Sequence, residues 1–350
     1  MPVFILGRTL QGLGGGAVGT VAYLAINRAY PDALRARMLA LLSSAWVLPA
    51  LVGPLVAGLV ASHFSWHAVF LGILPLLAVV AVLTWPALGR LPGEGTPFDA
   101  RRARLAVRAA VGAVLVLTAL QQGAPLVAVA SGVLGLAALV PALGGLLPPG
   151  TFRVTGPLQA GMATRFLLAF SFLGSDALVP LALSELRGFS VTAAGLVLTC
   201  AALSWSVGST LQARLDEAGG RGGRSGRARL GFALVAAAIG LLAITALVAA
   251  VPAPAAALAW AAGGLGMGLA FPAHTLVVFE HAPAGQEGRV SGTLQLVDVL
   301  GTALSAGTGG ALVATLGTRG GLGAACALTV AAAGCGVLVA GRLRGPGSRA

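Results

Sequence analysis

The sequence predicts an all-α integral membrane protein with about eleven transmembrane helices, and three observations predict it. The 350 residues are 57% hydrophobic and only 9% charged, with a mean hydropathy of +0.93. A soluble domain carries about 25% charged residues, so a bilayer has to serve as the solvent. Apolar stretches of the roughly 20 residues needed to cross a bilayer recur along the chain. The arginines between these stretches are dense in one loop and sparse in the next.

In order, the candidate spans are 2–26, 38–61, 66–88, 105–122, 124–147, 160–183, 191–212, 229–251, 254–279, 290–314 and 320–341. Gly and Pro interrupt many of them, which transmembrane helices tolerate. All 22 basic residues are arginine. With the loop after the first span taken as cytoplasmic, that side receives Arg28, Arg35, Arg37, Arg90, Arg101, Arg102, Arg104, Arg108, Arg153 and Arg165. It also receives Arg214, Arg221, Arg224, Arg227, Arg229, Arg289, Arg342, Arg344 and Arg349. The other side receives only Arg187 and Arg319, and Arg8 lies inside a span. Cytoplasmic loops carry the excess of arginine and lysine. The split therefore supports the span count, explains the net charge of +12, and puts a multi-pass chain in a plasma (inner) membrane with its C-terminus cytoplasmic.

The same residues exclude other classes. Aromatics are 5% and no basic patch interleaves with them, so no nucleic-acid partner is expected. Cys200, Cys326 and Cys335 sit in apolar runs without metal-ligand spacing, so no metal is expected. No cleavable signal peptide is evident. The chain lacks a phosphate-cradling Gly-Lys-Ser/Thr loop, a nucleophile elbow and His/Glu zinc spacing, so neither an enzyme nor an ATP-driven pump is expected, and no cofactor. Gly14-x-Gly16-x-x-Gly19, with Asp32 beyond it, matches a dinucleotide fingerprint. A Rossmann unit needs strand–helix alternation that this chain does not supply, so the match reads as accidental.

An internal repeat adds organisation. Shifted by 252 residues, Gly12, Leu13, Gly14, Gly16, Leu24, Pro31 and Arg37 fall on Gly264, Leu265, Gly266, Gly268, Leu276, Pro283 and Arg289. Parallel repeats of this kind build two-halved secondary transporters. Three spans precede Gly264 in its half and none precede Gly12, so the expectation is that three helices are missing ahead of Met1. The alternative to a working transporter is then an N-terminally truncated, transport-incompetent membrane fragment or a partner subunit.

With its spans, two halves and motifs, the chain resembles the major facilitator superfamily, and within it the fourteen-helix drug:proton antiporters. The motifs are Arg8-Thr-Leu-Gln11-Gly12, the Gly53-Pro54-x-x-x-Gly58 of an antiporter hinge, "FSWHAVFLGILP" and "LRGFSVTAAGLVLT". The resemblance implies a two-bundle fold. Residues 1–88 would be the last three helices of the N-terminal bundle, 89–104 an Arg-rich cytoplasmic linker, 105–147 an extra helix pair, and 148–350 a six-helix C-terminal bundle with a short tail. It also implies proton-coupled export of drugs or small amphipathic metabolites, with the proton gradient as energy source. The expected partners are the lipid bilayer, a small-molecule substrate and protons, and the oligomeric state is left open.

Ionisable groups inside a bilayer cost about 2.5–3.5 kcal/mol on insertion scales, so each needs a reason. Arg8 and Gln11 share a helical face with Gly12, Gly15 and Gly19, whose small size admits a neighbouring helix, and Gly16 is a further packing glycine. Gly264 and Gly268 are their counterparts in the second half. Arg8 is either a cavity residue or an arginine snorkelling to the interface. Asp176 and Asp298 are acids in apolar runs. Low dielectric disfavours a charged carboxylate, so such an acid can take up and release a proton; the alternatives are an acid at the outer water boundary and a structural hydrogen bond. His274 is either a proton relay or a packed neutral imidazole. Trp66 and Trp85 fit interfacial anchors, and Trp46 and Trp205 an aromatic substrate surface.

Overall fold

A computed structural model describes residues 2–31, 63–89, 99–218, 223–252 and 254–344, with scattered positions between 34 and 60. Asp32, Trp46, Pro54, Gly58, Arg221 and most of the span expected over 38–61 lie outside the described residues. The chain divides into two compact units, Met1–Pro97 and Phe98–Ala350.

The first unit opens on helix α1 (Pro2–Ala29), which carries Arg8, Gln11 and the glycine face. A Cβ added at Gly12 or Gly15 meets no heavy atom within 4 Å, so within the described residues of this unit no helix lies against that part of the face. Gly16 and Gly19 are half-buried. The span expected over 66–88 is two helices, α2 (Trp66–Leu71) and α3 (Ile73–Gly89). Ser65 caps α2 by accepting from the Ala68 amide, and Gly72 closes it. Leu83 and Trp85 of α3 are more than 70% exposed, the pattern of a helix whose flank faces lipid.

The second unit begins with an antiparallel pair, α4 (Ala100–Gln121) and α5 (Pro125–Leu146). Asp99 caps α4, accepting from the Arg102 amide at 3.0 Å. The two backbones touch where Gly112 faces Gly135. A Cβ at Gly112 would lie 2.8 Å from the Gly135 carbonyl, and one at Gly135 would lie 2.9 Å from the Gly112 carbonyl. Apolar helices in lipid gain nothing from hydrophobicity between them, so close backbone packing of this kind is what holds them.

The next span is interrupted. It runs as α6 (Pro157–Leu168), a π turn (Ala169–Leu173), α7 (Gly174–Asp176) and α8 (Val179–Arg187). Helices α9 (Val191–Glu217), α10 (Arg224–Leu247), α11 (Ala255–Glu280) and α12 (Glu287–Ala340) follow. The spans expected over 290–314 and 320–341 join in α12 across Gly317, whose φ of 72° breaks the helix between them.

Helix α11 is central, buried over 78% of its apolar stretch against 17% for α4 and α5. Its sequence explains why. Gly264 and Gly268 are one turn apart and lie on one face, while Gly266 falls about 200° around the helix from either neighbour. A Cβ at Gly264 would strike the Ala201 carbonyl of α9, and one at Gly268 would lie 2.7 Å from the Ser209 amide. A Cβ at Gly266 would instead lie 2.5 Å from the Gly231 carbonyl of α10. Small residues on opposite faces thus let α9 and α10 close on α11 from both sides.

Candidate transport site

Helix α6 crosses α12 at Gly301, where a Cβ would lie 2.7 Å from the Phe166 carbonyl. Asp298 stands three residues before Gly301 on the same face, and Arg165 is next to Phe166. The crossing therefore brings them together: Arg165 Nε lies 2.8 Å from Asp298 Oδ1, with the side chains 2% and 15% exposed. On its other flank α6 meets α11 at Gly161, where a Cβ would collide with Val278. One turn on, the Arg165 guanidinium sits over the Phe271 ring, 3.6 Å from its centroid. His274 presents its ring edge-on to Phe271. It is fully buried, with Nδ1 2.9 Å from the Ala270 carbonyl oxygen.

Arg165 corrects the sequence reading, which counted it among the cytoplasmic loop arginines. It is a buried membrane-helix cation. The signal was present, because Arg165 falls inside the apolar run 160–183. Its pairing with Asp298 could not be read, because the two are far apart in sequence.

Asp176 lies at the other end of the interrupted span. Its Oδ1 accepts from Trp260 Nε1 at 2.7 Å. Trp260 is fully buried and stacks on Phe172, with centroids 5.1 Å apart and planes 14° apart. Phe172 belongs to the π turn, meets the edge of Trp205 at 6.1 Å, and Trp205 meets Phe271 at 5.5 Å. An unbroken aromatic path thus runs from the Asp176–Trp260 bond to the Arg165–Asp298 pair. Of the sequence-selected groups, His274 and Trp205 meet at Phe271, Asp298 reaches that ring through Arg165, and Asp176 joins them only through the aromatic path. Arg8 and Gln11 belong to the first unit, where Arg8 donates to Gln11 at 2.8 Å on an exposed stretch of α1. Gly53 is helical.

The loop arginines divide by role. Arg224 and Arg227 both pair with Asp216, Arg224 also with Glu280, and Arg227 donates to Gln212. This network ties the ends of α9 and α11 to the start of α10. Arg187 and Arg319, the two exceptions to the arginine bias, cap the far end of α10. Arg187 donates to the carbonyls of Thr245, Val248 and Val251 at 2.7–2.8 Å, and Arg319 to that of Leu247 at 2.7 Å. The last carbonyls of a helix lack partners within it and carry its negative dipole end, which accounts for arginines on the sparse side.

A 346-residue alignment gives 29% identity with the "Probable multidrug-efflux transporter" of Mycobacterium tuberculosis, covering 90% of this chain and 69% of the relative. The methylenomycin A resistance protein of Streptomyces coelicolor is 26% identical over 306 residues, 83% of this chain and 62% of that one. Among solved structures, a human organic anion transporter aligns with 95% of this chain and 91% of its own, at 17% identity and a TM-score of 0.47. Residues 1–221 match the sequence pattern of the Major Facilitator Superfamily, and the chain belongs to that superfamily of multi-pass membrane transporters.

Proposed function

We propose that the protein is a secondary active exporter of drugs or small amphipathic metabolites, driven by the proton gradient across the plasma membrane, with its arginine-rich face and C-terminus in the cytoplasm. The observation that carries this reading is the buried Arg165–Asp298 pair at the α6–α12 crossing. The efflux and resistance functions named for the relatives support the direction and the substrate class.

The physics of the pair suits proton coupling. Leaving one member of a buried ion pair unpartnered costs about 3–5 kcal/mol. Moving a two-state equilibrium from 1:99 to 99:1 takes about 5.5 kcal/mol. Protonation of Asp298 would strand the Arg165 charge over Phe271, a penalty of the size that shifts a transporter between conformations. The α6–α12 crossing would then relax only when the proton leaves or a cationic substrate group rearranges the site. Asp176, held by the neutral Trp260 donor, would report the same change at the other end of the span through Phe172. His274 lies beside the cation and is the nearest candidate relay.

Expression in cells stripped of their own efflux pumps tests this. The protein is expected to lower the accumulation of an amphipathic dye, a protonophore to restore it, and Asp298→Asn to remove the effect at matched expression. Export by Asp298→Asn at the parental rate would refute the assignment.

A further inference from the structure

We infer that the corner where the turn before α6, the start of α10 and the end of α12 meet binds the headgroup of an anionic phospholipid. The inference does not depend on proton coupling. The corner is an open groove of about 320 Å³ walled by Val154, Leu338, Val339 and Arg342. Leu338 is 75% exposed, and Phe152, in the turn before α6, is 65% exposed. The apolar wall therefore points outward, where acyl chains lie.

The charged side chains at this corner are all cationic. Arg153, Arg342 and Arg344 are exposed at this corner. Ser225 donates to the Ala340 carbonyl at 2.7 Å, and Arg229 lies one turn beyond Ser225, exposed on the same flank of α10. Segments 148–165, 224–232 and 337–344, which build the corner, contain no acidic residue. The nearby acids Asp216 and Glu280 are already engaged by Arg224. Uncompensated positive charge beside an apolar groove at a bilayer surface complements an anionic headgroup with its chains alongside.

The groove is also held open by design of the chain. Val154 has φ 51°, a left-handed conformation costly for a β-branched residue. Arg342 Nη1 donates to the carbonyls of Arg153 and Val154 at 3.3 and 3.2 Å, holding that turn against the end of α12. The remaining Arg342 nitrogens and the guanidinium groups of Arg153 and Arg344 make no hydrogen bond among the described residues, and can receive a phosphate.

Thermal melting of the 350-residue chain in detergent tests the inference, with phosphatidylglycerol, phosphatidylcholine or inorganic phosphate added. Ligands that bind the folded state raise its melting temperature. Phosphatidylglycerol should raise it by at least about 2 °C, and phosphatidylcholine should not. The double variant Arg153→Gln/Arg344→Gln leaves the Arg342 bonds intact and should lose at least half of that rise while melting at the parental temperature without lipid. Equal rises for the two lipids, an undiminished rise in the double variant, or the same rise with inorganic phosphate alone would each overturn the lipid assignment.

Discussion

Arg165 and Asp298 meet because Gly301 leaves room for the α6 backbone: the pair sits one turn from a crossing where any side chain would strike the Phe166 carbonyl. The pair is therefore a product of helix packing as much as of charge. Arg165→Gln or Asp298→Asn alone should destabilise the protein by about 3–5 kcal/mol, because each leaves a buried charge unmatched. The double variant should recover much of this, since two neutral amides replace two charges. Melting temperatures of the three variants measure it, and additive losses in the double variant would show that the two side chains are not coupled.

Asp176 and Trp260 give a second test. Trp260→Phe keeps the stack on Phe172 but deletes the donor to Asp176, and should cost about 1–3 kcal/mol, the usual penalty of an unsatisfied buried group. Asp176→Asn retains an acceptor oxygen and should melt close to the parent. A Trp260→Phe protein as stable as the parent would show that the hydrogen bond contributes nothing.

The glycines of α11 predict a contrast between positions. Gly268→Ala places a Cβ against the α9 backbone, which cannot move aside as a flexible side chain would, and should cost about 1–3 kcal/mol. Gly195→Ala on α9 meets open space and should be neutral or stabilising by up to about 1 kcal/mol. Chemical-denaturant midpoints in detergent distinguish the two, and equal midpoints would contradict the packing.

At the far end of α10, Arg187→Gln releases three backbone carbonyls from one guanidinium. The loss should be about 1–3 kcal/mol, seen as faster hydrogen exchange in the last turn of α10 with the rest of the helix unchanged. Protection equal to the parent's in that turn would mean that water satisfies these carbonyls as well as Arg187 does.

What the sequence reveals of this fold depends on the range of the interaction. The membrane class was legible because a bilayer acts on every residue in a stretch of about 20, and the composition alone shows it. The glycines Gly264 and Gly268 were legible as a packing signal, but not their direction or the opposite-face role of Gly266, since which neighbour each glycine meets depends on helices far away in sequence. The Arg165–Asp298 pair was hidden by the register of two helices, and Arg165 by its place near a span edge. The π turn was illegible, because Ala169–Leu173 reads as an ordinary apolar run.

Proton-driven accumulation in proteoliposomes measures the central claim most directly. Vesicles holding the chain, acidic inside, are given an amphipathic fluorescent compound outside. The wild-type protein should accumulate it only while the gradient lasts, and Asp298→Asn should abolish accumulation at equal protein content. Accumulation by Asp298→Asn equal to the wild type, or accumulation by the wild type that ignores collapse of the gradient, would contradict a proton-linked switch at the Arg165–Asp298 pair.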